Sequence, residues 1–213
     1  MKVSKINALD EELIDGSSSS WNSVPEVRVA LMPSPVGMAE DVSPFMALSE
    51  GHGKVEEVRV RAASNGTSLS IRINWDDPDD SQPDDLDEFP DGAAVMFPLG
   101  EGANALSMGA KGLPVNAWLW KSDEGEPFDV VAEGYATSDR RDASASGLKA
   151  SAVHANGHWT LVFQRPLVVE GAFVSFAGGE EIGIAFAIWE GANKERVGQK
   201  SVSGDFVILE GLE

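Results

Sequence analysis

The fold class is decided by a pattern of period two. Residues 55–61 read as a strand, Asn65-Gly66 offers residue types that accept positive φ in a tight turn, and residues 68–75 return in alternation. Leu69, Ile71, Ile73 and Trp75 fall on one side of the returning strand, which predicts that side to be buried. A second hairpin is predicted from residues 148–153, the turn Asn156-Gly157 and residues 159–163. Further strands are expected over residues 21–32 (alternating from Val27 on), 93–97, 115–121, 128–135, 181–189 and 205–210. Residues 1–20 read as a polar loop, and no segment carries a helical period over three turns. Nothing repeats at a fixed spacing, which argues against a propeller or solenoid. The expected architecture is an all-β antiparallel sandwich, with residues 1–213 as a single domain.

Composition narrows the chemistry more than the fold. At 42% hydrophobic and 8% aromatic residues the chain can fill a core. It carries 35 acidic and 16 basic side chains, a formal charge of -19. That balance argues against nucleic acid and against anionic membrane surfaces, and it suits a basic partner steered by long-range attraction. Cysteine is absent, which removes disulfides, thiolate zinc sites, iron–sulfur clusters, thioether-attached haem and cysteine nucleophiles together. No apolar run approaches the roughly 20 residues of a membrane span. The first fifteen residues lack the apolar region of a secretory signal, which leaves a cytoplasmic protein, one exported with a partner, or one stripped of a leader.

Familiar catalytic patterns are missing: there is no Gly-x-Ser-x-Gly elbow, no P-loop and no His-Glu-x-x-His. Between Asp76 and Asp91 nine of sixteen residues are acidic, but without the spacing of an EF-hand, so the run reads as a solvated loop. His154 and His158 flank the Asn156-Gly157 turn and could share a metal only with a third ligand from elsewhere; His52, between two glycines, reads as solvated. Carboxylates are too plentiful for any one pair to mark a glycosidase.

The most informative stretch is residues 107–123. Met108 sits in a glycine-flanked loop, a second loop follows over Lys111-Gly112-Leu113-Pro114, and residues 115–121 then alternate as a strand buried on one face. A lone methionine there either fills a gap under a loop or presents its thioether to a group that is not protein. Two function classes survive. One is a binding module for carbohydrate or a protein partner, with Trp118, Trp120 and Trp159 as a stacking surface. The other is a cofactor carrier in which Met108 and a second residue hold an iron.

The order of motifs favours the second class. Ile73-Asn74-Trp75-Asp76-Asp77-Pro78, residues 91–97, Met108-Gly109 followed by Pro114-Val115-Asn116-Ala117-Trp118-Leu119-Trp120-Lys121, Gly157 to Leu167, and Trp189 to Ser203 with Glu195-Arg196 and Lys200-Ser201-Val202-Ser203 follow one another in sequence. As an ordered set they resemble the γ subunit of ethylbenzene dehydrogenase and its relatives in dimethylsulfide dehydrogenase, selenate reductase and chlorate reductase, over nearly the whole chain. The resemblance implies a β-sandwich whose long loops enclose one non-covalent haem b between Met108 and Lys200. It further implies a non-catalytic electron-transfer subunit in a periplasmic complex with a molybdopterin catalytic subunit and an iron–sulfur subunit, passing electrons to or from a soluble carrier such as a cytochrome c. One departure stands out: Gly204-Asp205-Phe206 follows Lys200 where relatives tend to carry tryptophan, which implies a different haem edge. The residue chemistry is compatible. A thioether is a soft ligand that favours ferrous iron. An amine coordinates only when deprotonated, and a lysine with a free pKa of about 10.4 needs burial to reach that state near neutrality. Lys121 and Lys194 are the competing amines, one continuing a strand and the other at the tip of a charged loop.

Overall fold

The computed structural model describes residues 1–41, 43–79, 88–176 and 181–212. In chain order the strands of the first half are β1 (Ser4–Lys5), β2 (Val27–Ala30), β3 (Met32–Pro33), β4 (Glu57–Ser64), β5 (Ser68–Asp76), β6 (Gly92–Pro98) and β7 (Val115–Lys121). The second half holds β8 (Phe128–Ala132), β9 (Asp139–Asp142), β10 (Lys149–Ala155), β11 (His158–Pro166), β12 (Ile182–Trp189), β13 (Ser201–Val202) and β14 (Val207–Leu209). Two short helices, α1 (Asp10–Ile14) and α2 (Pro44–Ala47), are single turns.

Among the described residues the strands form two sheets. The first runs β1-β4-β5-β11-β10 with β2 also on β4; the second runs β3-β13-β12-β6-β7-β8-β9 with β14 also on β12. Apart from the parallel β1–β4 pair, the ladders are antiparallel. The predicted hairpins form where the turn residues put them. Asn156 (φ 55°) and Gly157 (φ 75°) make a two-residue turn that closes Ala155 onto His158, as two consecutive positive φ values require. Leu69, Ile71, Ile73 and Trp75 are fully buried, as their alternation predicts.

The fold is an all-β sandwich, and its core lies between the sheets. Val58, Val60, Ile71, Ile73, Leu161 and Phe163 from the first meet Val95, Phe97, Trp118, Trp120, Ile184 and Ile188 from the second. Indole rings thicken the contact: Trp75 stacks near Trp159 at 6.0 Å, and Trp120 meets Trp159 edge-on at 4.9 Å. Arg165 of β11 is also inside. It reaches Asn116 of β7 at 3.3 Å and the Asp129 carboxylate of β8 at 3.5 Å, donates to Val174 O, and lies 4.9 Å from the Trp118 ring. A charge with no water around it is tolerable only with such partners, so this arginine laces the two sheets together.

The beginning of the chain differs from the expected loop. It contributes β1 and α1, and residues 19–23 form a 3-10 turn in place of the start of a strand. Ser18 caps that turn by accepting from Ser20 N–H, and Trp21 is thereby turned inward. Leu13, Trp21 and Val24 pack on Ala63 and Val162, closing the outer face of the first sheet. Period two fails here because the apolar side chains are spaced to cover a sheet, not to join one. Among the described residues no helix is long and apolar enough to cross a membrane.

Candidate functional site

The second sheet sends most of its bulky side chains inward and sets alanines at the centre of its outward face. On β6 Ala93, Val95 and Phe97 enter the core while Ala94 and Met96 face away; on β12 Ile184, Phe186 and Ile188 enter while Ala185, Ala187 and Trp189 face away. Register then lines these residues up, with Ala187 opposite Ala94, Ala185 opposite Met96, and Met96 opposite Ala117 of β7. The outward face is therefore a floor of methyl groups, edged by Met96 and Trp189. Ala94, Ala117 and Ala185 are nevertheless buried, Ala94 at 6% exposed, because long connections arch over them, while Ala187 is half-buried.

Between floor and loops is a largely apolar cavity, with about 630 Å³ of space when the part open to solvent is counted. The β3–β4 connection contributes Val36, Ala39 and Met46 to its wall, and the β6–β7 connection contributes Leu106 and Met108. Lys200 enters from the end of the β12–β13 connection. The parity of β13 explains its direction: Val202 pairs with floor residue Ala187, and Lys200 lies two residues before it on the same side.

Met108 and Lys200, singled out from sequence, meet in this cavity. Lys200 Nζ lies 3.7 Å from Met108 Sδ and 4.7 Å from the centre of the Trp189 ring. Lys200 is only 7% exposed, and burial without a carboxylate partner pulls its amine down to about 8. A thioether and an amine near neutrality form a pair suited to a borderline or soft transition metal.

Both donor loops carry residues in the left-handed region. Met108 has φ 57° and Val197 has φ 53°, conformations costing roughly 1–2 kcal/mol each for a residue with a Cβ. The surroundings hold them there. Met108 O accepts from Gly134 N–H at 2.9 Å, Gly109 N–H donates to Asn104 O at 2.9 Å, and the Tyr135 hydroxyl donates to Leu106 O at 2.6 Å. Gly109 can be nothing larger, since a Cβ would come within 2.6 Å of Leu113 O. In the second loop Val197 O accepts from Trp189 Nε1–H, and Lys200 O accepts from Ser34 N–H.

Glu195 organises that second loop. Its buried carboxylate accepts from the backbone N–H groups of Gly53, Lys54 and Glu190 and from Asn193 Nδ2. Sequence reading placed this glutamate in a motif without giving it a role. Beside it Glu190 is pushed up to about 7, first by burial and then by Asp77, Glu195, Asp91 and Asp79. Burial likewise raises Asp77, whose Oδ1 accepts from Asp79 N–H at 3.2 Å.

Several expectations are corrected. His52 is half-buried, with Nε2 2.9 Å from Ser34 O, and so braces the residue after β3 whose N–H donates to Lys200 O. The acidic run is not a plain solvated loop at its ends: Asp77 and Asp91 are fully buried, and Asp91 accepts from Trp159 Nε1 and Gly191 N–H. Its middle, residues 80–87, lies outside the described residues. His154 and His158 do not converge, because His154 pairs with Trp159 and successive residues of a strand face opposite ways. His154 Nε2 lies at Asp77 O and His158 Nδ1 at the Asp76 carboxylate; among the described residues no three His, Asp or Glu could hold an ion. Trp118, Trp120 and Trp159 are at most 8% exposed, so the suggested stacking surface does not exist. Of the competing amines, Lys194 is exposed in a loop and Lys121 lies at the end of β7; neither lines the cavity.

Comparison with known proteins agrees with the motif order. The family model described as ethylbenzene dehydrogenase matches residues 18–148 and 141–201. The chain belongs to the ethylbenzene dehydrogenase γ-subunit family. It is 35% identical over 192 residues to a Haloferax mediterranei protein named as a respiratory nitrate reductase haem subunit, covering 88% of this chain and 64% of that one. It is 31% identical to the chlorate reductase γ subunit of Ideonella dechloratans, covering 86% and 73%. With the dimethylsulfide dehydrogenase γ subunit of Rhodovulum sulfidophilum it shares 30% identity, covering 88% and 71%. Among solved structures, a family 9 carbohydrate-binding module of Caldicellulosiruptor kristjanssonii, in complex with glucose, aligns with a TM-score of 0.53 at 12% identity, covering 99% of this chain and 94% of the module. At that identity the likeness concerns the sandwich alone.

Proposed function

We propose that this chain is the electron-transfer subunit of a molybdopterin oxidoreductase complex, holding one haem b with Met108 and Lys200 as axial ligands. The observation that carries the reading is the thioether and amine 3.7 Å apart inside an apolar cavity floored by alanines. The donor set fits the group. Met108 would offer a soft thioether and Lys200 a deprotonated amine, both donors that an iron can take. The floor fits as well, since single methyl groups leave a flat apolar surface where longer side chains would stand up into the space.

When bound, haem supplies one-electron iron chemistry. The chain's own residues bind and tune it. Lys200 arrives largely ready to deprotonate because burial disfavours its charged form. Met108 favours the reduced metal, and the mostly apolar cavity wall raises the electrostatic weight of every nearby charge. Were Met108 and Lys200 both to ligate the iron, no open position would remain for a substrate, and catalysis would fall to another subunit. Relatives named as γ subunits of chlorate reductase and dimethylsulfide dehydrogenase support the assembly with a molybdopterin catalytic subunit and an iron–sulfur subunit. The same family relation supports a periplasmic setting, and the charge of -19 suits a basic external carrier such as a cytochrome c.

An absorption spectrum of the purified protein after haem addition, oxidised and then dithionite-reduced, tests the reading. Sharp Soret and α bands that change in both Met108→Ala and Lys200→Ala are expected. A protein that takes up no haem would overturn it, and bands indifferent to both substitutions would remove the ligand assignment.

A further inference from the structure

We infer that Tyr135 is a positioning residue for the Met108 thioether, an inference that rests on the ligand reading above. Tyr135 is the only tyrosine in the chain. It follows β8, lines the cavity, and lies half-buried with its hydroxyl 2.6 Å from Leu106 O. The turn it grips is the one that presents Met108. Within that turn the contacts are local: Met108 N–H donates to Ala105 O at 3.2 Å, and the Ser107 hydroxyl donates to Gly109 O at 2.8 Å. Local bonds fix the shape of the turn without fixing where it lies over the floor.

That placement comes from outside, from the segment after β8. Gly134 N–H reaches Met108 O, and the neighbouring Tyr135 hydroxyl reaches Leu106 O, so two adjacent residues hold the turn at two points. A single contact would leave a hinge about which the thioether could swing; the second removes that freedom. The hydroxyl is suited to the task because burial raises its pKa above the ordinary phenol value, which keeps it a donor across the working pH range. The Tyr135 hydroxyl is spent on Leu106 O, and its effect passes through the backbone of Leu106.

Tyr135→Phe removes one hydroxyl and leaves the ring, so the fold should survive. In haem-free protein, peroxide oxidation of Met108, followed by mass spectrometry, should run about threefold to tenfold faster than in the parent, the range expected for one net hydrogen bond. In haem-loaded protein, carbon monoxide should bind the reduced iron tighter by a similar factor, because a loosened thioether competes less well. The carbon monoxide effect should vanish when Tyr135→Phe is combined with Met108→Ala, since a residue acting through Met108 has nothing left to act on. If Met108→Ala alters the spectrum while Tyr135→Phe leaves oxidation and carbon monoxide binding unchanged, the positioning role is wrong and the ligand reading stands. An equal Tyr135→Phe effect with and without Met108 also overturns it. If Met108→Ala leaves the spectrum of the loaded protein unchanged, the ligand reading fails and takes this inference with it.

Discussion

The outer faces of the two sheets solve the same problem in opposite ways. Both present apolar side chains that need cover. On the first sheet the residues before β2 supply it, and Leu13, Trp21 and Val24 pack directly onto Ala63 and Val162. On the second sheet the cover is a set of long connections that stand off from Ala94, Ala117, Ala185 and Ala187 and leave a cavity between. Small residues occur under both covers. The difference lies in the cover: one inserts a tryptophan, while the other brings a methionine and a lysine together inside a cavity.

Removing the plug from the filled face should produce the largest effect. Trp21 is 2% exposed, and its indole N–H donates to Asp15 O at 3.1 Å. Trp21→Ala should cost about 3–5 kcal/mol in a chemical denaturation experiment, the range for deleting a buried aromatic. It should leave haem affinity nearly unchanged, because the core of the sandwich separates the two faces. A matching loss of haem affinity would show that the faces are coupled and that the comparison is too simple.

The cavity side predicts the opposite sign. In haem-free protein Lys200 lies in an apolar surround at about 8, against about 10.4 in an unfolded chain. Between those values the unfolded state binds more protons, so stability rises with pH from about 8 to about 10.4; below about 8 the penalty is constant and fully present. Lys200→Met removes the buried charge. It should stabilise the haem-free protein at pH 7 by on the order of 3 kcal/mol, with the gain fading as the pH approaches 10. A substitution that destabilises at pH 7 would mean that the ammonium is well paired there, with the Trp189 face as the first partner to examine.

A smaller effect is expected on the cavity floor. Ala185→Leu fills space in place of crowding a packed core, so it should avoid the usual overpacking cost of about 1–3 kcal/mol. It should weaken haem uptake about tenfold, equivalent to about 1.4 kcal/mol, the order expected when space needed by a ligand is taken up in part. Titration of the Soret band reads the affinity, and thermal unfolding without haem reads the fold. If the variant is strongly destabilised and still binds normally, the alanine faces packed protein and not the ligand.

How much of this contrast sequence could reveal depends on the range of the interactions. The hairpins were legible because their signals are local: alternation in residues 68–75 and two turn residues at Asn156-Gly157 specify both strands at once. Met108 and Lys200 were legible only through the order of motifs, since a loop methionine and a single lysine have ordinary uses everywhere. The alanine floor was invisible. Strands such as Ala93–Phe97 read as buried on both sides, and apolar residues look alike whether protein or a cofactor covers them. The inward turn of Trp21 was missed because its partners Ala63 and Val162 are far along the chain. Asp77 and Asp91 were misjudged for the same reason. Composition marks the run as soluble, whereas the partners that bury Asp91, Trp159 and Gly191, are 68 and 100 residues away.

The smallest effect sharpens the boundary between the cavity and its acidic neighbourhood. Glu190 follows Trp189, whose ring lies under the Lys200 amine, yet its own surroundings are carboxylates and not the cavity wall. Burial and the charges of Asp77, Glu195, Asp91 and Asp79 push it up to about 7, while an unfolded glutamate titrates near 4.3. Here the folded state binds more protons between those values, so the contribution to stability falls as pH rises from about 4.3 to about 7 and stays low above. Glu190→Gln keeps the shape and removes the charge. It should therefore stabilise the protein at pH 8, by about 1 kcal/mol once solvent screening of a half-exposed group is allowed for, and change little at pH 4. Urea denaturation of parent and variant at the two pH values measures the difference. In haem-loaded protein the same substitution should raise the midpoint potential slightly at pH 8 and not at pH 5, because a nearby negative charge disfavours the electron only while it is ionised. A potential shift of equal size at both pH values would mean that Glu190 acts by holding the 190–200 loop in shape, and the electrostatic account would have to be given up.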